Sequence, residues 1–171
     1  MPVPSSRQGG PADEPLLMRL FDEAVAWMVS RGQAGQWGDT PPSQTPDWRA
    51  RIHEAATRSE LHVLSLEHRE VGVLALNDAP GHLPPAEVSE VYIELLLTAR
   101  SHQGQHLGTA LLDIAERIAR ERSARRLRVD CWAEAPTLIG WYEREGFQPA
   151  GVFALRGWRG QVFTRPVPYE R

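Results

Sequence analysis

A strand, a loop and a helix near the middle of the chain hold the residues whose types and spacing could do chemistry. The loop reads Gln103-Gly104-Gln105-His106-Leu107-Gly108-Thr109, and apolar residues then fall at Leu107, Leu111, Ile114, Ala115 and Ile118, the spacing of a helix. A glycine loop that opens a helix leaves backbone N–H groups pointing outward at the positive end of the helix dipole. A phosphate or pyrophosphate can accept several hydrogen bonds there without a cationic side chain. The loop meets neither the dinucleotide fingerprint, Gly-x-Gly-x-x-Gly, nor the P-loop, which needs Lys-Ser/Thr after its last glycine. The preceding strand, residues 87–98, puts Glu90, Tyr92, Glu94, Leu96 and Thr98 on one face and Val91, Ile93, Leu95 and Leu97 on the other. Two carboxylates on one face of so apolar a run place at least Glu94 against a cavity, unless a bulge shifts the register.

Other chemistries find little support. The six histidines, His53, His62, His68, His82, His102 and His106, lack a paired ligand spacing backed by carboxylates on one helix, so no metal is expected. Cys131, the single cysteine, reads as a small buried hydrophobe, and no Gly-x-Ser-x-Gly elbow is present. With 171 residues, 42% of them hydrophobic and 24% charged, the chain is long enough for one substantial core. Nineteen basic against twenty-two acidic residues give a net charge of -3, without the basic excess of a nucleic-acid surface, so no nucleic-acid partner is expected. One cysteine forms no internal disulfide, and no apolar run approaches the roughly 20 residues of a membrane span. The start is rich in Pro, Ser and Gly instead of carrying a signal peptide's apolar core, so the expected location is the cytoplasm, without a membrane partner.

The elements that must position the loop follow from periodicity. Residues 1–12 are expected to be disordered or to hold one short edge strand, and residues 13–171 to form a single domain. Asp13 and Pro15 start a helix with the stripe Leu17, Leu20, Phe21, Ala24 and Met28, which Gly32 stops. Thr45 and Pro46 start a second, with the stripe Trp48, Ile52 and Ala55. Residues 61–66 and 71–76 make an antiparallel hairpin around Glu67-His68-Arg69-Glu70, and residues 77–85 a loop. The glycine-loop helix runs to about residue 123, with Asp113 to Arg117 and Glu116 to Arg120 as ion pairs on a solvated face. Residues 126–132 alternate again after this crossover helix and should lie parallel to the central strand. A short helix over residues 135–145 ends at Gly146, and residues 147–155 and 161–167 close the chain as a hairpin around Arg156-Gly157-Trp158-Arg159-Gly160. Helix pairs and hairpins around one βαβ unit give an α+β fold.

Two motifs resemble the GCN5-related N-acetyltransferase (GNAT) family. Gln103 and Gly108 fit its coenzyme A pyrophosphate loop, Gln/Arg-x-x-Gly-x-Gly/Ala. His106 stands at the middle glycine position, which it can fill with negative φ or in the left-handed region. Leu138-Ile139-Gly140-Trp141-Tyr142-Glu143-Arg144-Glu145-Gly146-Phe147 is similar to the family's second signature, an apolar helix turn followed by Tyr-Glu-x-x-Gly-Phe. The likeness extends from Asp13 onward, and the fold it implies is a mixed, mostly antiparallel sheet of about six or seven strands with one parallel pair and about four helices. One departure is Ala135, seven residues before the tyrosine, where the family usually has an asparagine that contacts coenzyme A. A missing neutral hydrogen bond costs ~1 kcal/mol, which weakens binding without abolishing it.

The resemblance implies acetyl-CoA as co-substrate and a primary amine, on a small molecule or a protein, as acceptor. Pantetheine would pair with the backbone of Leu96, Leu97 and Thr98, where the family parts its two parallel strands. The pyrophosphate would lie on Gln103, Gly104, Gln105, His106, Leu107, Gly108 and Thr109, with Arg100 a further contact near the loop. A backbone N–H near Leu96 can hydrogen-bond the oxyanion. Tyr142 would protonate the departing thiolate, or else be a core tyrosine. Glu94, or more remotely Glu90, would accept the amine's proton or merely line the pocket. Trp37, Glu90 and Tyr92 are the acceptor-pocket candidates, although Trp37 and Trp48 read first as packing of the two helices onto a sheet. Two functions stay open: an acetyltransferase working by direct attack in a ternary complex, and a non-catalytic acyl-CoA sensor, for which His106 and Ala135 speak. A homodimer is the expected assembly.

Overall fold

The structure, a computed structural model, describes residues 2–169. Met1, which the sequence reading places in the N-terminal segment, and residues 170–171, which it places in the domain, lie outside the described residues. The chain divides into two compact units, Met1–Asn77 with Glu94–Leu112, and Asp78–Ile93 with Asp113–Arg171.

In the first unit, β1 (Ser5–Gln8) pairs antiparallel with β2 (Glu60–Leu66), and β2 with β3 (Arg69–Asn77). Glu67 and His68 turn the β2–β3 hairpin with φ of 48° and 67°, the paired left-handed conformation that matches strand twist. β4 (Glu90–Thr98) neighbours β3. Helix α1 (Glu14–Ser30) buries Leu17, Leu20, Phe21 and Met28, and α2 (Pro46–Arg58) buries Ile52, Ala55 and Ala56. Asp13 occupies the cap position of α1 but does not cap it with its side chain. Its carboxylate turns back to the Gly10 N–H at 2.9 Å and to Arg7, whose guanidinium also holds Glu70. That guanidinium holds the Asp13 carboxyl below its usual range and ties β1 to the start of α1.

In the second unit the N-terminal half of β4 pairs parallel with β5 (Arg126–Trp132), over Glu90↔Arg126, Val91↔Leu127 and Tyr92↔Arg128. β5 pairs antiparallel with β7 (Trp158–Pro166), and β7 with β6 (Gln148–Leu155). Helix α3 (Leu107–Glu121) runs from the first unit into the second and buries every residue of its expected stripe, while α4 (Pro136–Arg144) ends at Gly146 with φ of 88°. Arg156 and Gly157, at φ of 51° and 83°, make a two-residue turn, so β6 ends at Leu155 as expected while β7 begins at Trp158, three residues earlier than the expected five-residue loop allowed. On α3, Glu116 pairs with Arg120 as expected, but Arg117 pairs with Glu121, and Asp113 feels Arg165 instead. The seven strands run in the hydrogen-bonded order β1-β2-β3-β4-β5-β7-β6 with one parallel pair, and with the four α-helices they make an α+β fold.

The parallel pair is locked by charge. Glu90 gives one carboxylate oxygen to Arg126 Nε at 2.9 Å and the other to Arg128 Nη2 at 2.6 Å, and Arg128 Nη1 donates to the Pro84 carbonyl at 2.7 Å. The Glu90 and Arg128 side chains are only 9% and 4% exposed, so removing one partner strands a buried charge. Glu90→Ala is therefore expected to lower unfolding free energy by about 3 kcal/mol or more. Denaturant titration reads this as a lower midpoint; a loss under about 1 kcal/mol would mean that the pair acts as a surface one.

Candidate active site

The glycine loop belongs wholly to the first unit. After β4 the chain makes a 3-10 turn at Arg100–His102, Gly104 takes φ of 83° and His106 φ of 56°, and α3 begins at Leu107. His106 thus sits in the left-handed region, one of the two conformations in which the motif tolerates it, and its carbonyl accepts the Ala110 N–H at 3.1 Å. Gly108, by contrast, lies inside the first helical turn with negative φ. The amides of Leu107 and Gly108 fall where a helix supplies no carbonyl acceptor. Gln103, Gly104, Gln105 and His106 are exposed, and a Cβ at Gly104 would meet nothing within 4 Å, so the loop's outer face is open. Leu96 and Thr98 are half-buried and Leu97 buried. The parallel register stops at Tyr92, so among the described residues the β4 segment 94–98 has a ladder neighbour in β3 alone. Its backbone edge is available to an extended ligand.

Arg100 is placed otherwise than the loop contact expected of it. Its guanidinium stacks 3.8 Å from the centre of the Trp27 ring, and its backbone N–H donates to Glu23. Trp37 packs against Phe21 and Trp48 at ring separations of 5.0 and 6.3 Å, within the aromatic cluster that joins α1 and α2. Glu94 is half-buried and accepts a hydrogen bond from Ser59, whose hydroxyl in turn accepts one from Asn77 Nδ2 at 3.4 Å. Because an amide nitrogen only donates, the single Ser59 proton is directed at Glu94, which fixes one carboxylate oxygen and leaves the other for a proton donor.

The second unit holds Tyr142, Tyr92 and Glu90. Tyr142 is 5% exposed on α4, stacked on Phe163 at 5.5 Å and edge-on to Phe147 at 5.4 Å. Among the described residues no hydrogen bond is made by its hydroxyl. Burial, aided by Cys131 and Asp130, pushes the phenol well above its ordinary value and keeps it protonated. Cys131 is buried too, its thiol pushed up to about 12 by burial and then by Asp130, which makes it inert as a nucleophile. Glu90 is committed to Arg126 and Arg128 and is not presented to a ligand. Tyr92 is buried, and its hydroxyl donates to Asp130. Asp130 escaped the sequence reading. Its trace there was alternation: Arg126, Arg128 and Asp130 share one face of a strand whose other face is Leu127, Val129 and Cys131. Ala135 is a buried methyl at the start of α4.

A family model described as the acetyltransferase (GNAT) family matches residues 19–147. No curated protein matches the sequence. Among solved structures, a GNAT-family acetyltransferase from Listeria monocytogenes is 20% identical, with a TM-score of 0.68 over 95% of this chain and 94% of that one. The ribosomal-protein-S18-alanine N-acetyltransferase from Escherichia coli is 13% identical, with a TM-score of 0.68 over 99% and 97%. A GNAT-family acetyltransferase from Elizabethkingia anophelis with acetyl-CoA bound is 16% identical, with a TM-score of 0.55 over 68% of this chain and 82% of that one. At these identities the likeness is one of fold.

The loop geometry makes a testable demand on His106. His106→Gly is expected to leave stability unchanged or slightly raised, whereas the β-branched His106→Val should cost about 1–2 kcal/mol in the left-handed conformation. Thermal melts of the two variants check this; equal melting temperatures would mean that the loop does not hold that conformation.

Proposed function

Because the chain belongs to the GNAT acetyltransferase family, we propose that it is an acetyl-CoA-dependent N-acetyltransferase with a primary amine as acceptor. The observation that carries this beyond family membership is Tyr142: a buried phenol, held protonated, with no hydrogen-bond partner among the described residues, on the helix that follows the parallel strand pair. A tyrosine kept only for packing would be expected to have its hydroxyl satisfied.

The residues present fit the co-substrate. The open face of the loop, with the amides of Gly104, Leu107 and Gly108, suits a pyrophosphate, and the β4 edge at Leu96, Leu97 and Thr98 suits the two amides of pantetheine. Acetyl-CoA supplies the thioester whose acetyl group is transferred. In this reading Glu94, oriented by Ser59, takes one proton from the acceptor ammonium through its free oxygen. The freed amine attacks the thioester carbon, a C–N bond forms and the C–S bond breaks. Tyr142 gives its proton to sulfur and is refilled by the second proton of the attacking nitrogen. The balance is an amide, a thiol and one proton left on Glu94. A backbone N–H near Leu96 is the proposed oxyanion donor.

Two variants test the roles. Tyr142→Phe is expected to lower kcat at least about tenfold with little change in acetyl-CoA affinity, since only the departing thiolate loses its donor. An unchanged kcat would remove Tyr142 from the mechanism. A base accepts a proton only as the carboxylate, so Glu94→Gln should abolish the acidic limb of the pH-rate profile. A limb that persists in the variant would leave Glu94 as pocket lining. Acetyl-CoA binding without turnover on any amine would favour the acyl-CoA sensor, the reading that the buried methyl of Ala135 supports.

A further inference from the structure

The second unit contains a carboxylate that the mechanism above does not use. Asp130 lies on β5 directly opposite Val162 of β7, so the two side chains share one face of the sheet. One Asp130 oxygen accepts the Tyr92 hydroxyl; the other has no hydrogen-bond partner among the described residues. Arg128, two residues before it on the same face, gives its terminal nitrogens to Glu90 and to the Pro84 carbonyl and makes no bond to Asp130. His82 is the other titratable group that faces it, alongside Cys131 and Tyr142. Burial raises the Asp130 carboxyl, against the pull of Tyr92, His82 and Arg128. Half-buried and with one oxygen taken by Tyr92, this carboxylate keeps its other oxygen for a further donor, and a cationic group suits it.

Its neighbours Tyr92 and Val162 belong to an apolar cluster. Leu83, Tyr92 and Val162 form a buried cluster, with Ala79 and Phe153 packed against it, and the His82 ring lies 5.0 Å from that of Phe153. One carboxylate oxygen in such surroundings selects a ligand with a positive group joined to an apolar or aromatic body. We propose that Asp130 anchors the acceptor's ammonium while Tyr92, Leu83, Val162 and Phe153 hold an apolar body, so that the substrate class is a hydrophobic primary amine. An ammonium has three N–H donors, so one can rest on Asp130 while another is surrendered to a base. This assignment rests on the acetyltransferase reading, and it makes Asp130 a binding residue, with proton removal left to another group.

The experiment compares 2-phenylethylamine, ethanolamine and aspartate as acceptors for the wild-type chain, Asp130→Asn and Asp130→Glu. With the wild type, kcat/KM for 2-phenylethylamine should exceed that for ethanolamine at least about tenfold, the scale of the gain from burying an apolar body. Aspartate should be the poorest. Asp130→Asn should raise the KM for 2-phenylethylamine at least about tenfold, the scale of one charged hydrogen bond, and Asp130→Glu should recover part of it. Acetyl-CoA affinity should stay at the wild-type value, which also reports that the variant is folded. The acidic limb of the pH-rate profile should persist in Asp130→Asn. An unchanged KM overturns the anchor, equal use of ethanolamine overturns the apolar wall, and loss of the acidic limb overturns the division of roles by making Asp130 the base. If no amine is turned over, the transferase reading fails instead. Calorimetric binding of 2-phenylethylamine in the presence of CoA then tests the anchor alone: binding lost in Asp130→Asn supports it, and equal binding or none in the wild type rejects it.

Discussion

The ion pair between Glu90 and the two arginines of β5 is the constraint from which the second unit's chemistry follows. A parallel ladder of three residue pairs is short, and parallel pairing is somewhat weaker per residue than antiparallel. Register must therefore come from elsewhere. Glu90 supplies it, because its two oxygens meet Arg126 and Arg128 in only one register, and Arg128 then holds the segment before β4 through Pro84. With that register set, Tyr92 stands beside Arg128 and its hydroxyl reaches Asp130. A slip by one residue would turn Tyr92 to the other face and leave both Asp130 and Arg128 without their partners.

The same low-dielectric surroundings explain why the titratable groups near Tyr142 are held neutral or under-compensated. Tyr142 and Cys131 are pushed toward their protonated forms chiefly by burial, and each also feels Asp130. A phenol in this setting has a proton to give but does not ionise in water's place, which suits a donor to a departing thiolate. In the first unit the arrangement is different in kind. Ser59 and Asn77 orient Glu94 through a directed chain of hydrogen bonds, and the loop after β4 presents backbone amides, not cationic side chains. Arg100, the nearest cation in sequence, is instead stacked on Trp27.

The helices and strands were legible because their apolar residues follow one period each. The stripe of α3 is buried at every expected position, and the hairpin strands begin and end within a few residues of the apolar runs. Motif reading found the glycine loop and the Tyr142 signature for the same reason, since both are local patterns. What stayed hidden depends on distant partners. Glu90 looked like pocket lining because Arg126 and Arg128 are more than thirty residues away in sequence, and Trp37, read first as packing, stayed a pocket-wall candidate until Phe21 and Trp48 were seen against it. Asp130 was passed over as one member of an alternating strand, although an acid opposite Val162 and under Tyr92 is not a solvated one. The closing turn was read too long because the left-handed conformation of Arg156, which with Gly157 lets β7 begin already at Trp158, has no local signature in an arginine.

Everything functional rests on the loop between β4 and α3 accepting a pyrophosphate without the middle glycine. Isothermal titration of the purified chain with acetyl-CoA tests this most directly, with thiol release against amines measured in the same samples. Micromolar binding at one molecule per chain, followed by amine-dependent release of thiol, is the predicted result. No heat of binding at any attainable concentration would contradict the account at its root, because it would mean that the left-handed His106 closes the loop that the chemistry needs open.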